Sequence, residues 1–163
     1  MTLQSAIHSF KLALGTLFGA GRLSKAPGTL GSLLILPFIY GAFTMYNLGG
    51  LIFLTIAACI LSLWAAPAAV EEFGDDPGEF IMDECAGQAI VFVGTTAFGI
   101  TVNFIYLLLG FLLFRLFDIT KPLGIKRIEK FRGKYGILFD DLLAGIYASV
   151  GLIALLSLLS LLV

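Results

Sequence analysis

The sequence predicts an all-α fold, a small polytopic helical membrane protein, and three observations carry that expectation. Hydrophobic residues fill 59% of the 163 positions and charged residues 13%, where soluble domains run at roughly 45–50% and about 25%. Mean hydropathy is +1.02. The charges are also segregated, confined almost entirely to an N-terminal part and to the segments 71–84 and 115–141, with uncharged runs between them. A chain this short reads as one domain over residues 1–163. A soluble core of that size could not hide so many Leu, Ile and Phe side chains. The net charge of −1 gives no general attraction to nucleic acid.

The first element is the apolar stretch 7–18, interrupted by Lys11. Ile7, Phe10, Leu14 and Phe18 recur at helical spacing, which predicts an amphipathic helix lying at the membrane interface. The same spacing also fits a helix packed into the folded domain. No small-residue cleavage site follows, so the stretch does not read as a signal peptide. Spanning about 30 Å of hydrocarbon takes about 20 helical residues, with about 17 as the lower end. The runs 31–47, 48–70, 86–114 and 142–163 meet or approach that length. The first two join at Asn47-Leu48-Gly49-Gly50, turn chemistry that predicts a tight helical hairpin. Cys59 and Cys85 lie in unrelated surroundings and form no disulfide framework.

Charge then constrains topology. Seven of the ten basic residues, Arg115, Lys121, Lys126, Arg127, Lys130, Arg132 and Lys134, share one segment, which should face the cytoplasm. Lys11, Arg22 and Lys25 should face the same way. A hairpin over 31–70 returns 71–84 to that side, so a single crossing by 86–114 would strand the most basic loop outside. A re-entrant or paired-helix segment, broken near residues 94–99, removes the conflict and gathers the polar segments on one face.

Three acidic groups stand next to apolar runs: Asp83-Glu84, Asp118 and Asp140-Asp141. A carboxylate there is costly unless paired or bound to a cation. Oxygen ligands without histidine suit a hard cation such as Mg²⁺. A blander reading is that these acids only end helices, Asp140 and Asp141 at an N-terminus. Arg115 and Asp118, three apart, share a helix face, and Lys121 precedes Pro122, which ends that helix. An arginine and a lysine beside a metal site are what a phosphate group requires. Lys126, Arg127, Lys130 and Arg132 read instead as a solvated belt that attracts anionic lipid. Gly28 and Gly31, with the hydroxyls of Thr29 and Ser32, make an anion cradle at a helix start.

Absences narrow the chemistry. His8 is the only histidine, which removes phosphohistidine catalysis and argues against a Ser-His-Asp triad. The sixth residue after Cys85 is Val91, not the arginine of cysteine phosphatases, and no Asp-x-Asp occurs. What remains is metal-dependent hydrolysis assisted by carboxylates.

The pieces together resemble bacterial phosphatidylglycerophosphatase A. They are Ala26-Pro27-Gly28-Thr29-Leu30-Gly31-Ser32; Asp83-Glu84 with Gly87; Phe114-Arg115-Leu116-Phe117-Asp118-Ile119-x-Lys121-Pro122; and Gly136-Ile137-Leu138-x-Asp140-Asp141-x-x-Ala144-Gly145. They run in the family's order from about residue 20 to 147. The chain departs from the pattern at Gly124, where the family has a second proline, and at Lys134, where it has a second glycine. The resemblance implies a membrane enzyme that hydrolyses phosphatidylglycerophosphate with Mg²⁺ at the inner face of the bacterial plasma membrane. It implies catalytic roles for Asp83, Glu84, Asp118 and Asp141, phosphate contacts from Arg115, Lys121, Thr29 and Ser32, and metal ligation by Asp83, Glu84, Asp140 and Asp141. An ion-coupled transporter is the rival reading, since intramembrane acids also mark ion pathways. Transport carboxylates tend to lie mid-span, whereas these lie at span ends beside basic residues.

Overall fold

A computed structural model describes residues 2–75, 77–122, 124–125 and 134–161. The regular structure among the described residues is all helical: α1 Leu3–Gly15, α2 Ala20–Leu23, α3 Pro27–Leu34, α4 Leu36–Phe73, α5 Met82–Ala97, α6 Phe104–Thr120 and α7 Lys134–Ser160. The basic belt Lys126, Arg127, Lys130 and Arg132 lies outside the described residues.

Helix α1 starts where the Thr2 hydroxyl accepts a hydrogen bond from the Ser5 amide at 3.3 Å. It leans on α4 through a T-shaped Phe10–Trp64 contact, with the Lys11 ammonium 5.1 Å from the Trp64 ring centre. Only Gly15 of α1 is buried, and Leu3, Ile7 and Phe10 face outward. That is the arrangement of a peripheral amphipathic helix. Leu17, Phe18 and Gly19 then all take positive φ and turn the chain into α2.

Asn47 interrupts α4, with φ 51° and ψ −135°. A side chain at Gly50 would strike the carbonyl of Ala42. A straight helix would hold those two residues about 12 Å apart, so the chain doubles back at Asn47. Ile39 and Leu51 are accordingly buried in one cluster. The expected hairpin is present, and its first arm is extended upstream by α3, whose first residue is Pro27, the helix position that lacks no hydrogen bond by being proline. Pro67 sits inside the second arm, and Gly74, at φ +99°, ends it.

Residues 86–114 do not cross once. Helix α5 ends at Ala97, the backbone turns through Gly99 at φ +84°, and α6 starts where the Asn103 side chain accepts from the Tyr106 amide at 2.9 Å. The paired-helix expectation holds, and the legs run about 24 and 25 Å at 1.5 Å per residue. The N-terminal segment and the ends of α4, α5, α6 and α7 that carry the acids therefore meet on one face.

Small residues set the spacing. A Cβ on Gly87 would lie 2.7 Å from the Asp141 carbonyl and from the Phe114 ring, and one on Gly145 would strike the Gly87 carbonyl. Backbones this close are how helices associate where lipid supplies no hydrophobic drive between them. Two stretches, Pro27–Phe73 and Lys134–Ser160, are long and apolar enough to cross a bilayer. Phe53, Ile60, Ile105, Leu112 and Val150 point outward. At about 1.5–3 kcal/mol for each such side chain, the outer surface belongs in hydrocarbon. The chain is a small helical membrane protein.

Candidate active site

The site is assembled at the polar end from the first turns of α3 and α5, the last turn of α6 and the second turn of α7. Asp83, Glu84 and Asp141 each offer a carboxylate oxygen, and these three atoms lie within 4.8 Å of one another. The Gly87–Gly145 contact sets this, because it brings α7 against α5 one turn below the acids. Asp83 is 6% and Asp141 4% exposed. Asp140 and Asp141 are not N-terminal caps: α7 has begun by Lys134, so both sit inside the helix with their own amides already bonded. The helix-end reading fails for them.

Electrostatics make the cluster untenable as three bare charges. Asp83 and Glu84 stand in the first turn of α5, outside the two long apolar helices. Burial pushes the Asp83 carboxyl well above the usual carboxylate range, and Glu84 and Asp141 add to it. Burial raises Glu84 as well, opposed by its hydrogen bonds and by the Arg115 guanidinium. Glu84 Oε2 and Asp140 Oδ1 are buried without hydrogen-bond partners among the described residues. Orphaned carboxylate oxygens beside converging carboxylates fit a bound hard cation, whose charge offsets their mutual repulsion.

The basic residues are held just as firmly. Arg115 Nη1 lies 3.1 Å from Asp118 Oδ2 and 3.4 Å from the Ser32 hydroxyl, which itself donates to the Gly28 carbonyl at 2.7 Å. Asp118 stands in the last turn of α6, where the helix dipole disfavours an anion, so its place there depends on Arg115. Lys121 caps α6 in the left-handed region, φ 44° and ψ 54°, and donates from Nζ to Asp140 Oδ2 at 2.9 Å. A lysine in that conformation costs about 1–3 kcal/mol, and here the twist aims its ammonium at the acids. A cavity of about 240 Å³ is lined by Asp83, Glu84, Asp118, Lys121, Asp140 and Asp141, and Pro77 and Gly78 also border it.

The structure thus brings together Asp83, Glu84, Asp118, Asp141, Arg115 and Lys121. Asp140 stands outside the tight trio and is turned to Lys121. Ser32 is occupied in holding Arg115. Thr29 is half-buried in the first turn of α3, and no hydrogen bond ties its hydroxyl to the acids among the described residues. Gly28 has a further reason beyond an accessible amide: a Cβ there would strike Glu84 Oε1 and lie 3.1 Å from both Arg115 Nη atoms. Sequence reasoning passed over Gln88, fully buried with neither amide atom partnered among the described residues. Its signal was available, an amide in an apolar run four residues after Glu84.

A family model described as phosphatidylglycerophosphatase A matches residues 13–156, nearly the whole chain. The chain belongs to the phosphatidylglycerophosphatase A family. It is accordingly a phosphatase, a phosphoric monoester hydrolase. Among relatives, a Bacteroides thetaiotaomicron protein provisionally named a phosphatidylinositol-3-phosphatase is 35% identical, over 84% of this chain and 87% of its own. A Haemophilus influenzae phosphatidylglycerophosphatase A is 35% identical over 95% of this chain and 91% of its own. An Escherichia coli phosphatidylglycerophosphatase A is 30% identical over 85% and 77%. No solved structure matches the chain.

Proposed function

We propose that the protein hydrolyses phosphatidylglycerophosphate to phosphatidylglycerol and inorganic phosphate, with Mg²⁺, at the cytoplasmic face of the bacterial plasma membrane. The observation that carries this reading is the trio Asp83, Glu84 and Asp141, the two aspartates buried and the glutamate half-buried, with carboxylate oxygens within 4.8 Å of one another, facing Arg115 and Lys121 at the polar end of a membrane bundle. A lipid phosphomonoester carries its charge at that depth, just outside the hydrocarbon.

Asp83, Glu84 and Asp141 would hold the cation, which supplies charge stabilisation at the reacting phosphoryl group. The fork of Arg115, fixed by Asp118 and Ser32, offers two parallel donors to phosphate oxygens. Lys121 adds a point charge from the opposite rim. In the reaction a water oxygen forms a bond to phosphorus and the bond to the glycerol oxygen breaks. A site carboxylate takes the water proton, and the departing glycerol oxygen gains a proton to become a hydroxyl. Two further features support the reading: family membership, and the names of the Haemophilus influenzae and Escherichia coli relatives.

The test is phosphate release by detergent-purified protein from phosphatidylglycerophosphate, phosphatidylinositol 3-phosphate and soluble glycerol 3-phosphate, each with Mg²⁺. Fastest turnover of phosphatidylglycerophosphate is expected. Preference for the inositol lipid would replace the substrate assignment with the one that the Bacteroides thetaiotaomicron relative's name carries.

A further inference from the structure

Below the acids, on the hydrocarbon side, lies a residue that the proposed reaction leaves without a task. Gln88 is 0% exposed, and both its Nε2 and Oε1 lack partners among the described residues. An unpaired buried amide is costly, and replacing it by an apolar side chain would remove that cost. Among the other buried polar atoms without partners are Glu84 Oε2, on the same helix, and Arg115 Nε, on α6. Their chemistry is complementary to the amide. Nε2 donates and Glu84 Oε2 accepts; Arg115 Nε–H donates and Oε1 accepts.

The placement of these atoms on α5 and α6 permits the match. Gln88 follows Glu84 by four residues, so the two side chains rise from one face of α5 as helical neighbours. Glu84 and Arg115 converge, since both would collide with or crowd a Cβ on Gly28. One turn beyond Gln88, Phe92 packs on Gly110 of α6. Gln88 is therefore bracketed between the Glu84–Arg115 meeting point above and the Phe92–Gly110 contact below.

We infer that Gln88 is a positioning residue whose amide bridges Glu84 to Arg115, with Nε2–H donating to Glu84 Oε2 and Oε1 accepting from Arg115 Nε–H, when the site is loaded. The bridge couples the two halves of the site. It holds the Glu84 carboxylate toward the cation and the Arg115 guanidinium so that its Nη2 donors face phosphate, so each ligand fixes the group that serves the other. This rests on the metal-and-phosphate reading above.

The experiment uses the full chain in detergent. Mn²⁺ binding is followed by electron paramagnetic resonance, and inhibition by inorganic phosphate is measured separately. Gln88→Met keeps length without hydrogen bonds, and Gln88→Asn keeps the amide without its reach. Both should weaken Mn²⁺ binding about 10–100-fold, the usual cost of losing a partner that orients a ligand, and should weaken phosphate inhibition in parallel. The metal-free melting temperature of Gln88→Met should be unchanged or higher, which separates positioning from packing. Mn²⁺ affinity and phosphate inhibition within about twofold of wild type in both variants would overturn the inference alone. Failure of wild-type protein to bind Mn²⁺ would overturn the metal reading, and the inference with it.

Discussion

Gly28→Ala is the smallest change that separates the site from the fold. A Cβ at this position would strike Glu84 Oε1 and sit 3.1 Å from both terminal nitrogens of Arg115. All are far ends of flexible side chains, so the clash is relieved by swinging them away, and the backbone need not move. Alanine is also the better helix former, by up to about 1 kcal/mol in a helix interior and less at this second position of α3, so the fold should keep its stability. The site cannot keep its geometry, because the Glu84 carboxylate has to retreat by about 1 Å. A misplacement of that size costs about 10²-fold in rate, or about 2.7 kcal/mol of barrier. The assay is phosphate release at saturating Mg²⁺, beside a melting curve of the same preparation. Gly41→Ala is the control, since its Cβ would meet nothing within 4 Å. Wild-type turnover by Gly28→Ala would refute the reasoning, and so would a collapse of its melting temperature, which would place the clash in the backbone.

Three further outcomes follow from the same geometry. Arg115→Lys keeps the charge but loses the fork held by Asp118 and Ser32, and turnover should fall at least about tenfold with the melting temperature little changed; wild-type rates would remove Arg115 from phosphate binding. Gly87→Ala meets the Asp141 backbone carbonyl at 2.7 Å and the Phe114 ring, so it should lower stability by about 1–3 kcal/mol, read as a lower melting temperature; an unchanged one would mean that α5 and α7 are not held that close. In protein lacking Cys59 and Cys85, cysteines at Asp75 and Thr120 should label from one side of the membrane and a cysteine at Thr101 from the other; labelling of Asp75→Cys and Thr120→Cys from opposite sides would break the paired-helix topology.

Most of the architecture was legible because charge and turn chemistry are local signals. Asn47-Leu48-Gly49-Gly50 announced the hairpin, and the shared sign of the basic segments required 86–114 to return. The convergence of acids was legible only as an inference from that topology. What could not be read were relations between helices. The engagement of Ser32 with Arg115, the turning of Asp140 to Lys121 and the space that Gly28 leaves for Glu84 all depend on interhelical distances, set by Gly31 against Ile81 for α3 and by Gly87 and Gly145 for α5, α6 and α7. The start of α7 ahead of Asp140 also escaped, because Lys134 and Tyr135 look like a polar loop until they are seen inside the helix. Gln88 was passed over for a related reason: one amide in an apolar run means little until it proves to be fully buried without a partner among the described residues.

The central claim is that Asp83, Glu84 and Asp141 hold a divalent cation that the phosphatase reaction needs. Phosphate release from phosphatidylglycerophosphate, measured in excess chelator and again after Mg²⁺ is restored, tests it most directly, with Asp141→Asn run alongside. Chelation should abolish release, Mg²⁺ should restore it, and Asp141→Asn should remain down by about 10²-fold even at saturating Mg²⁺. Undiminished release in chelator, together with a near-normal rate for Asp141→Asn, would contradict the account.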